Sequence, residues 1–97
     1  MDVLEAIMTR RSIRSYTGEI IKEEDLRIIL QAGFQAPSAH NFEPREYVVI
    51  SDRDTIERIA GFHKYAQMLP KAGCGIVVCG DQTKQSEMGF LVEDCSA

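Results

Sequence analysis

Several features that mark membrane or secreted proteins are absent from this sequence. No apolar run approaches the roughly 20 residues that a bilayer-spanning helix needs. The N-terminus carries Asp2 and Glu5 where a signal peptide would be basic, and no small-residue cleavage site follows an apolar core. We therefore expect a cytoplasmic protein with no membrane partner.

Cysteine is scarce, and its pattern argues against a disulfide framework or a zinc site. Cys74, Cys79 and Cys95 are odd in number and lack the spacing of zinc ligands. The first two lie in or beside an apolar run that is typical of a strand. We interpret all three as reduced thiols that pack as small apolar side chains, and we expect no metal site.

The sequence also lacks an excess of basic charge. Its 11 Lys and Arg residues are outnumbered by 15 Asp and Glu residues, which gives a net charge of −4. Because a nucleic-acid-binding surface is basic, we expect no nucleic-acid partner. Hydrophobic residues make up 44% of the 97 residues and charged residues 27%, a composition and length typical of one globular domain.

Helical and strand patterns are both present, which predicts an α+β protein. Acidic residues from Glu23 onward begin the clearest helix, and Pro37 disfavours helical geometry just before it. Two short β-branched runs predict strands that are buried on both faces. The predicted elements in chain order are helices at 3–9 and 23–36, a strand at 47–50, helices around 56–60 and 65–69, a strand at 76–79, and a helix from residue 88.

The end of the sequence falls inside the last predicted element. Met88, Leu91, Val92 and Cys95 have amphipathic helical spacing, and no capping residue precedes the final Ala97. Two strands buried on both faces also need more partners than this chain offers. We therefore expect a single domain over residues 1–97 that is incomplete at its C-terminus.

The strongest candidate for a binding site is a cluster of arginines. Arg10, Arg11 and Arg14 place three positive charges within five residues, with Ser12 between them. A guanidinium offers a bidentate fork for a phosphate, which a serine hydroxyl can help to hold. The same cluster also fits a solvated helix end, where cations oppose the C-terminal dipole, and taken alone it favours that second interpretation.

A polar loop between the second helix and the first strand is the other candidate. It runs from Pro37 through Ser38, Ala39 and Asn41 to Pro44, so that two prolines restrict its backbone. The serine and asparagine side chains suit either a turn or the edge of a ligand. Taken alone, the loop favours an ordinary helix-to-strand connection.

Together the two segments resemble motifs of the nitroreductase-like FMN-dependent oxidoreductases. The sequence from Arg10 to Arg14 is similar to the family's N-terminal flavin-phosphate motif. The sequence from Ala36 to Pro44 is similar to its second motif, in which Glu43 and Arg45 stand where Gln and Trp are usual. The resemblance covers essentially the whole chain. It implies the N-terminal portion of a nitroreductase-like domain, with a mixed sheet flanked by helices. The resemblance also implies that the sequence stops within the central helix of that domain.

The resemblance also implies which residues bind the cofactor. Arg10, Ser12 and Arg14 would bind the FMN phosphate and ribityl chain, with Arg11 contributing through its backbone or to the ring edge. The partner subunit of a homodimer would approach the same flavin, and the segment from His63 to Gln67 would lie near the pyrimidine edge of the ring. The residues expected from the partner subunit are Pro37, Ser38, Ala39 and Asn41.

The implied function is FMN-dependent reduction of nitroaromatics, quinones or a similar small electrophile, with NAD(P)H as the hydride donor. The cofactor carries this chemistry, so no catalytic side chain is expected. His40 and His63 are isolated and are not assigned a catalytic role. The alternative function is a non-catalytic flavin-binding or interaction protein that retains part of the domain.

Overall fold

The computed structural model describes all residues from 1 to 97 and contains four α-helices and two strands. None of the helices is long and apolar enough to cross a membrane. Two short 3-10 turns, at Ala39–Asn41 and Leu69–Lys71, complete the regular structure. The helices and strands are α1 (Val3–Thr9), α2 (Glu23–Phe34), β1 (Arg45–Ile50), α3 (Arg53–Phe62), β2 (Gly75–Gly80) and α4 (Met88–Ser96).

The two strands form one antiparallel pair. Arg45 lies opposite Gly80 and Ile50 lies opposite Gly75, so all six residues of each strand are paired. Both strands were predicted, but their burial on both faces was wrong for this chain. The central valines Val48 and Val77 are 49% and 40% exposed, because α3, α4 and the Leu69–Lys71 turn cover the pair only in part.

Helix α3 provides the centre of a small core. Asp52 caps it, since its carboxylate accepts hydrogen bonds from the Thr55 backbone N–H and hydroxyl at 3.0 and 2.6 Å. Ile56 is fully buried and Ala60 nearly so, one turn apart on the same helix face. The predicted helix is therefore confirmed, and its apolar stripe contributes half of the buried hydrophobic residues, the others being Ala72 and Leu91.

Helix α4 packs against β2 at a point of close approach. A Cβ on Gly80 would lie 2.7 Å from Cδ1 of Leu91 and 3.1 Å from Sγ of Cys95. The glycine therefore lets the helix lie directly on the strand. Leu91 and Asp94 are buried on this face of α4, which confirms the predicted amphipathic helix.

Two predicted helix positions need correction. Helix α2 ends at Phe34 with Gln35 as its C-cap, two residues before the predicted stop. The helix predicted at 65–69 is absent, and a 3-10 turn at Leu69–Lys71 contains Pro70 instead of ending before it. Proline is tolerated in a first turn because its missing N–H would have no intrahelical partner there.

Candidate functional site

The arginine cluster lies at the exposed end of α1. Asp2 begins this helix, because its side chain accepts the Glu5 backbone N–H at 2.8 Å, and the helix ends at Thr9. No residue of α1 is buried. Residues 10–22 then continue without helix or strand, and residues 1–20 are all exposed. We call residues 1–20 the N-terminal arm.

The three arginines of the arm differ in their contacts. Arg11 folds back on α1, where its guanidinium donates to the backbone oxygens of Met8 and Arg10 at 3.3 and 2.8 Å. This is the helix-end arrangement that opposes the C-terminal dipole. Arg10 and Arg14 make no side-chain hydrogen bond or ion pair within the chain, so their donors are available to a ligand.

Arg14 opens onto the largest cavity of the molecule. This cleft has a volume of about 780 Å³ and lies between the arm and the segment before β2. Three of its side chains are cations and none is a carboxylate. We call it the cationic cleft, and it is lined by Arg14, Ser15, Lys64, Tyr65, Gln67, Met68 and Lys71.

The far wall of the cationic cleft combines a cation, an aromatic ring and an amide. The Nζ of Lys64 lies 5.5 Å from the centre of the Tyr65 ring. The side-chain nitrogen of Gln67 donates to the backbone oxygens of Ala60 and His63 at 2.6 and 3.2 Å, which fixes that side chain. An anionic group near the cations, with a flat ring beside Tyr65, is the type of ligand that these side chains suit.

The predicted loop adopts an unusual backbone. Ser38 is extended, and the three residues after it form a 3-10 turn. The Ser38 hydroxyl accepts the Glu43 backbone N–H at 3.0 Å and so closes the loop. His40, Asn41 and Glu43 have φ angles of 57°, 55° and 49°, in the left-handed region that non-glycine residues rarely adopt.

Two buried charged side chains contact this loop from other elements. A terminal guanidinium nitrogen of Arg45 donates to the Ala36 oxygen at 2.6 Å, with the Pro37 oxygen at 3.4 Å. Asp94 accepts the Ala39 backbone N–H at 2.9 Å. Arg45 and Asp94 are 4% and 5% exposed. The entry to the loop is therefore tied to β1, and its turn is tied to α4.

The comparison with known families decides the identity of the fold. The Nitroreductase family model matches residues 7–89, which is most of the chain. This chain belongs to the nitroreductase family. The predicted resemblance is therefore confirmed, and so is the α+β nitroreductase fold class.

Relatives with known names and structures support this assignment. The chain is 43% identical over 96 residues to a protein of Methanothermobacter thermautotrophicus provisionally named an NADH dehydrogenase/NAD(P)H nitroreductase, covering 99% of this chain and 50% of that one. A crystal structure from Parabacteroides distasonis, under the same provisional name, has a TM-score of 0.90 at 35% identity. The match covers 97% of this chain and 55% of that one. The chain thus spans about half the length of these relatives.

Among the structural relatives that were solved with a flavin, one matches nearly the whole of this chain. It is a protein of Desulfovibrio desulfuricans, provisionally named a nitroreductase, in complex with FMN. The TM-score is 0.87 at 33% identity, and the match covers 97% of this chain and 55% of that protein. The similarity includes both segments that the sequence identified, because the match extends over nearly the whole chain.

The two predicted halves of this nitroreductase site lie apart within one chain. No hydrogen bond joins residues 10–14 to residues 37–41. The cationic cleft contains Arg14 from the first segment and no residue of the loop. The resemblance to the family implies that these halves come from two subunits, and that arrangement stays a prediction.

Sequence reasoning missed several residues that line the cationic cleft or contact the loop. It named the segment from His63 to Gln67 but selected no residue within it, and it did not consider Lys71. It also gave no role to Arg45 or Asp94. A signal for Asp94 was present, since a carboxylate three residues after Leu91 falls on the apolar stripe of the predicted helix.

Proposed function

We propose that this chain forms the flavin-binding part of an FMN-dependent oxidoreductase that uses NAD(P)H to reduce nitroaromatics, quinones or a similar small electrophile. The observation that carries the proposal is the cationic cleft. Three cations and no carboxylate line it, in a chain whose net charge is −4. An anionic cofactor explains this local reversal of charge better than an apolar or cationic ligand does.

The residues present fit FMN. Arg10 and Arg14 carry unpaired guanidinium groups for the phosphate, with Ser12 between them as a hydroxyl donor. Lys64 and Lys71 add positive charge on the other side of the cleft, and Tyr65 offers a ring beside it. A Bacillus subtilis protein that is 28% identical to this chain over 80 residues is named FMN reductase [NAD(P)H], which supports both the flavin and the hydride donor.

The division of labour between cofactor and protein follows from the side chains. FMN, when bound, supplies the chemistry of hydride acceptance from NAD(P)H and of electron delivery to the electrophile. The chain binds the phosphate, orients the ring and restricts water around it. No side chain in the cleft forms an acid–base or nucleophile pair, so we assign no catalytic residue.

We also propose that the active form is a cytoplasmic homodimer with the flavin at its interface. Helix α1 supports this, because Val3, Leu4, Ile7 and Met8 are all exposed by 66–75%. A contiguous apolar helix face of this kind marks an interaction surface. In the dimer, Pro37, Ser38, Ala39 and Asn41 of one copy would approach the flavin held by the Arg10, Ser12 and Arg14 of the other.

A flavin titration tests the proposal. The gently purified protein is examined by visible absorption, and its apo form is titrated with FMN and with riboflavin, which lacks the phosphate. We expect FMN to bind about 100-fold more tightly or better, because riboflavin loses the contacts of both arginines and each charge-assisted hydrogen bond contributes about 1.5–3 kcal/mol. Equal binding of the two flavins, or no binding of either, contradicts the proposed site.

A second measurement separates the enzyme from its alternative. NADH or NADPH is added without oxygen to the FMN-loaded protein, and the flavin absorbance at visible wavelengths is followed. In the proposed enzyme, the flavin absorbance falls within seconds and returns when a quinone or nitroaromatic is added. A protein that holds FMN and never bleaches is instead the non-catalytic flavin binder.

A further inference from the structure

Three polar side chains are almost fully buried in this small molecule, and two of them hold the candidate loop. The three are Arg45, Gln85 and Asp94, each at most 5% exposed. Arg45 and Asp94 bond to loop backbone, whereas Gln85 accepts the backbone N–H of Glu87. The charged pair therefore differs from the third residue in what it contacts.

Folding stability alone does not explain these two charges. The Nε and Nη1 of Arg45 are buried without a hydrogen-bond partner, and so is Oδ2 of Asp94. The two side chains also form no ion pair with each other. A buried charge with unmet hydrogen bonds destabilises a fold relative to an apolar side chain of similar volume. Their clearest structural effect is on the loop.

The loop needs external support because its backbone is strained. His40, Asn41 and Glu43 all have φ between 49° and 57°, and left-handed φ angles are unfavourable for residues with a Cβ. Such conformations persist when the surrounding structure over-determines them, and they cluster at ligand sites. Arg45 fixes the entry to the loop at Ala36 and Pro37, and Asp94 fixes its turn from a position 55 residues away.

We propose that Arg45 and Asp94 are positioning residues that hold the loop in its flavin-binding conformation before the cofactor arrives. Pro37, Ser38, Ala39 and Asn41 are then presented without an ordering cost on binding. The inference rests on the proposed function, since the loop must contact the flavin. It gives Arg45 a role in this chain at the place where the family motif usually has Trp.

Asp94 variants test the acceptor directly. Asp94→Ala removes the acceptor, and we expect about tenfold weaker FMN binding and faster hydrogen exchange at the Ala39 amide. Asp94→Asn keeps an oxygen at the same place, so its FMN affinity should stay within about threefold of wild type. Gln85→Met is the matched control, because it removes a buried polar group that does not touch the loop, and it should change neither measurement.

Removing the Ala39 N–H, which donates to Asp94, gives a second, independent test. Ala39→Pro deletes the N–H, and the preceding residue can accommodate a proline, since Ser38 is already extended at φ −138° and ψ 153°. We expect about tenfold weaker FMN binding. Adding Asp94→Ala to this variant should weaken binding no further. An equal further loss would show that Asp94 does not act through the Ala39 bond and would overturn the proposal.

Arg45→Met tests the other tie with a side chain of similar volume and no donor. We expect faster exchange at the Asn41 and Phe42 amides and about tenfold weaker FMN binding. If wild type binds FMN and these loop variants bind it equally well with unchanged exchange, the positioning role is wrong and the proposed function stands. If wild type binds no FMN, the proposed function is wrong, and unchanged loop exchange in the variants would overturn the positioning role as well.

Discussion

The N-terminal arm and the loop between α2 and β1 are proposed to hold the same cofactor, yet they are built in opposite ways. The arm has no buried residue, and Arg10 and Arg14 make no contact that would fix their side chains. The loop is short and strained, and buried side chains of β1 and α4 tie it in place. Within the proposed site, one half is therefore held in place by buried contacts of the chain, whereas the other half has no such contacts.

Because of this difference, we expect variants of one region to change ligand affinity and variants of the other to change folding stability. A residue of the arm contributes to the folded state only through its few contacts, so its removal should affect the ligand and not the fold. The body of the molecule, centred on Ile56, should behave in the reverse way. Variants in matched pairs can test this contrast, because the chain offers the same residue type in both regions.

The largest expected effect comes from removing the two unpaired arginines. Arg10→Ala with Arg14→Ala should weaken FMN binding about 100-fold or more, since two charge-assisted contacts of about 1.5–3 kcal/mol each are lost. The melting temperature should hardly change. Fluorescence titration and thermal unfolding measure the two quantities.

Arg27→Ala is the control for general loss of positive charge. Its guanidinium pairs with Glu23 at 2.9 Å on the exposed face of α2, and its side chain is 73% exposed. An exposed pair of this kind stabilises by at most about 1 kcal/mol, and FMN affinity should not change. An unaltered affinity in the double arginine variant would remove the arm from the site.

The second contrast concerns two isoleucines. Ile56→Ala should lower the free energy of unfolding by about 2–5 kcal/mol, because the side chain is fully buried and its removal leaves a cavity. Ile13→Ala should change it by less than about 0.5 kcal/mol, because that side chain is 65% exposed in the arm. Urea unfolding measures both. A large loss for Ile13→Ala would show that the arm is packed against the body or a second copy.

Much of the fold could be predicted from local patterns. The predicted bounds of α1 agree with the structure, in which Asp2 caps the helix through a hydrogen bond to backbone three residues on. Asp52 and Asp54 both fit the cap of α3 by sequence, and only the structure selects Asp52. The β-branched runs predicted both strands. Burial of those strands could not be predicted, because it depends on elements distant in sequence, and periodicity reports only local preference.

Sequence could propose parts of the candidate site only where the residues form a consecutive motif, and not where residues distant in sequence meet. The arginine segment and the loop each favoured an ordinary structural role when taken alone, and they became candidates because together they resemble two motifs of the family. Lys71 reaches the cationic cleft from beyond Pro70, and Asp94 reaches Ala39 across 55 residues. Neither pairing has a local signature. Only the folded chain brings such groups together, although a carboxylate on an apolar helix face could have been recognised as unusual.

A third contrast tests where the arm joins the body. A Cβ on Gly73 would lie 2.4 Å from the backbone oxygen of Glu19 and 3.0 Å from Cγ1 of Ile21. Gly73→Ala should therefore destabilise the protein by about 1–3 kcal/mol through overpacking. Gly61→Ala is the control, since its Cβ meets nothing within 4 Å, and alanine in a helix should stabilise by about 0.5–1 kcal/mol. Equal stability of the two variants would mean that the arm does not dock at Gly73.

The smallest expected effects are those of the two helix caps. Asp52 begins α3, which carries the buried Ile56, whereas Asp2 begins α1, which buries nothing. Asp52→Ala should lower the melting temperature measurably, because the cap stabilises a helix on which the core depends. Asp2→Ala should leave the melting temperature unchanged, because fraying of α1 exposes no core. A comparable drop in both variants would contradict the separation of arm and body.

The Asp52 cap should also contribute to the acid sensitivity of the fold. Hydrogen bonds from the side chain and backbone of Thr55 lower the pKa of Asp52 below its ordinary value of 3.8. The folded state thus favours the carboxylate, so the contribution is complete above about pH 3.8 and is lost as the pH falls through the lowered pKa. Asp52→Asn keeps a capping oxygen but cannot titrate, and its melting temperature should fall less than that of wild type below pH 4.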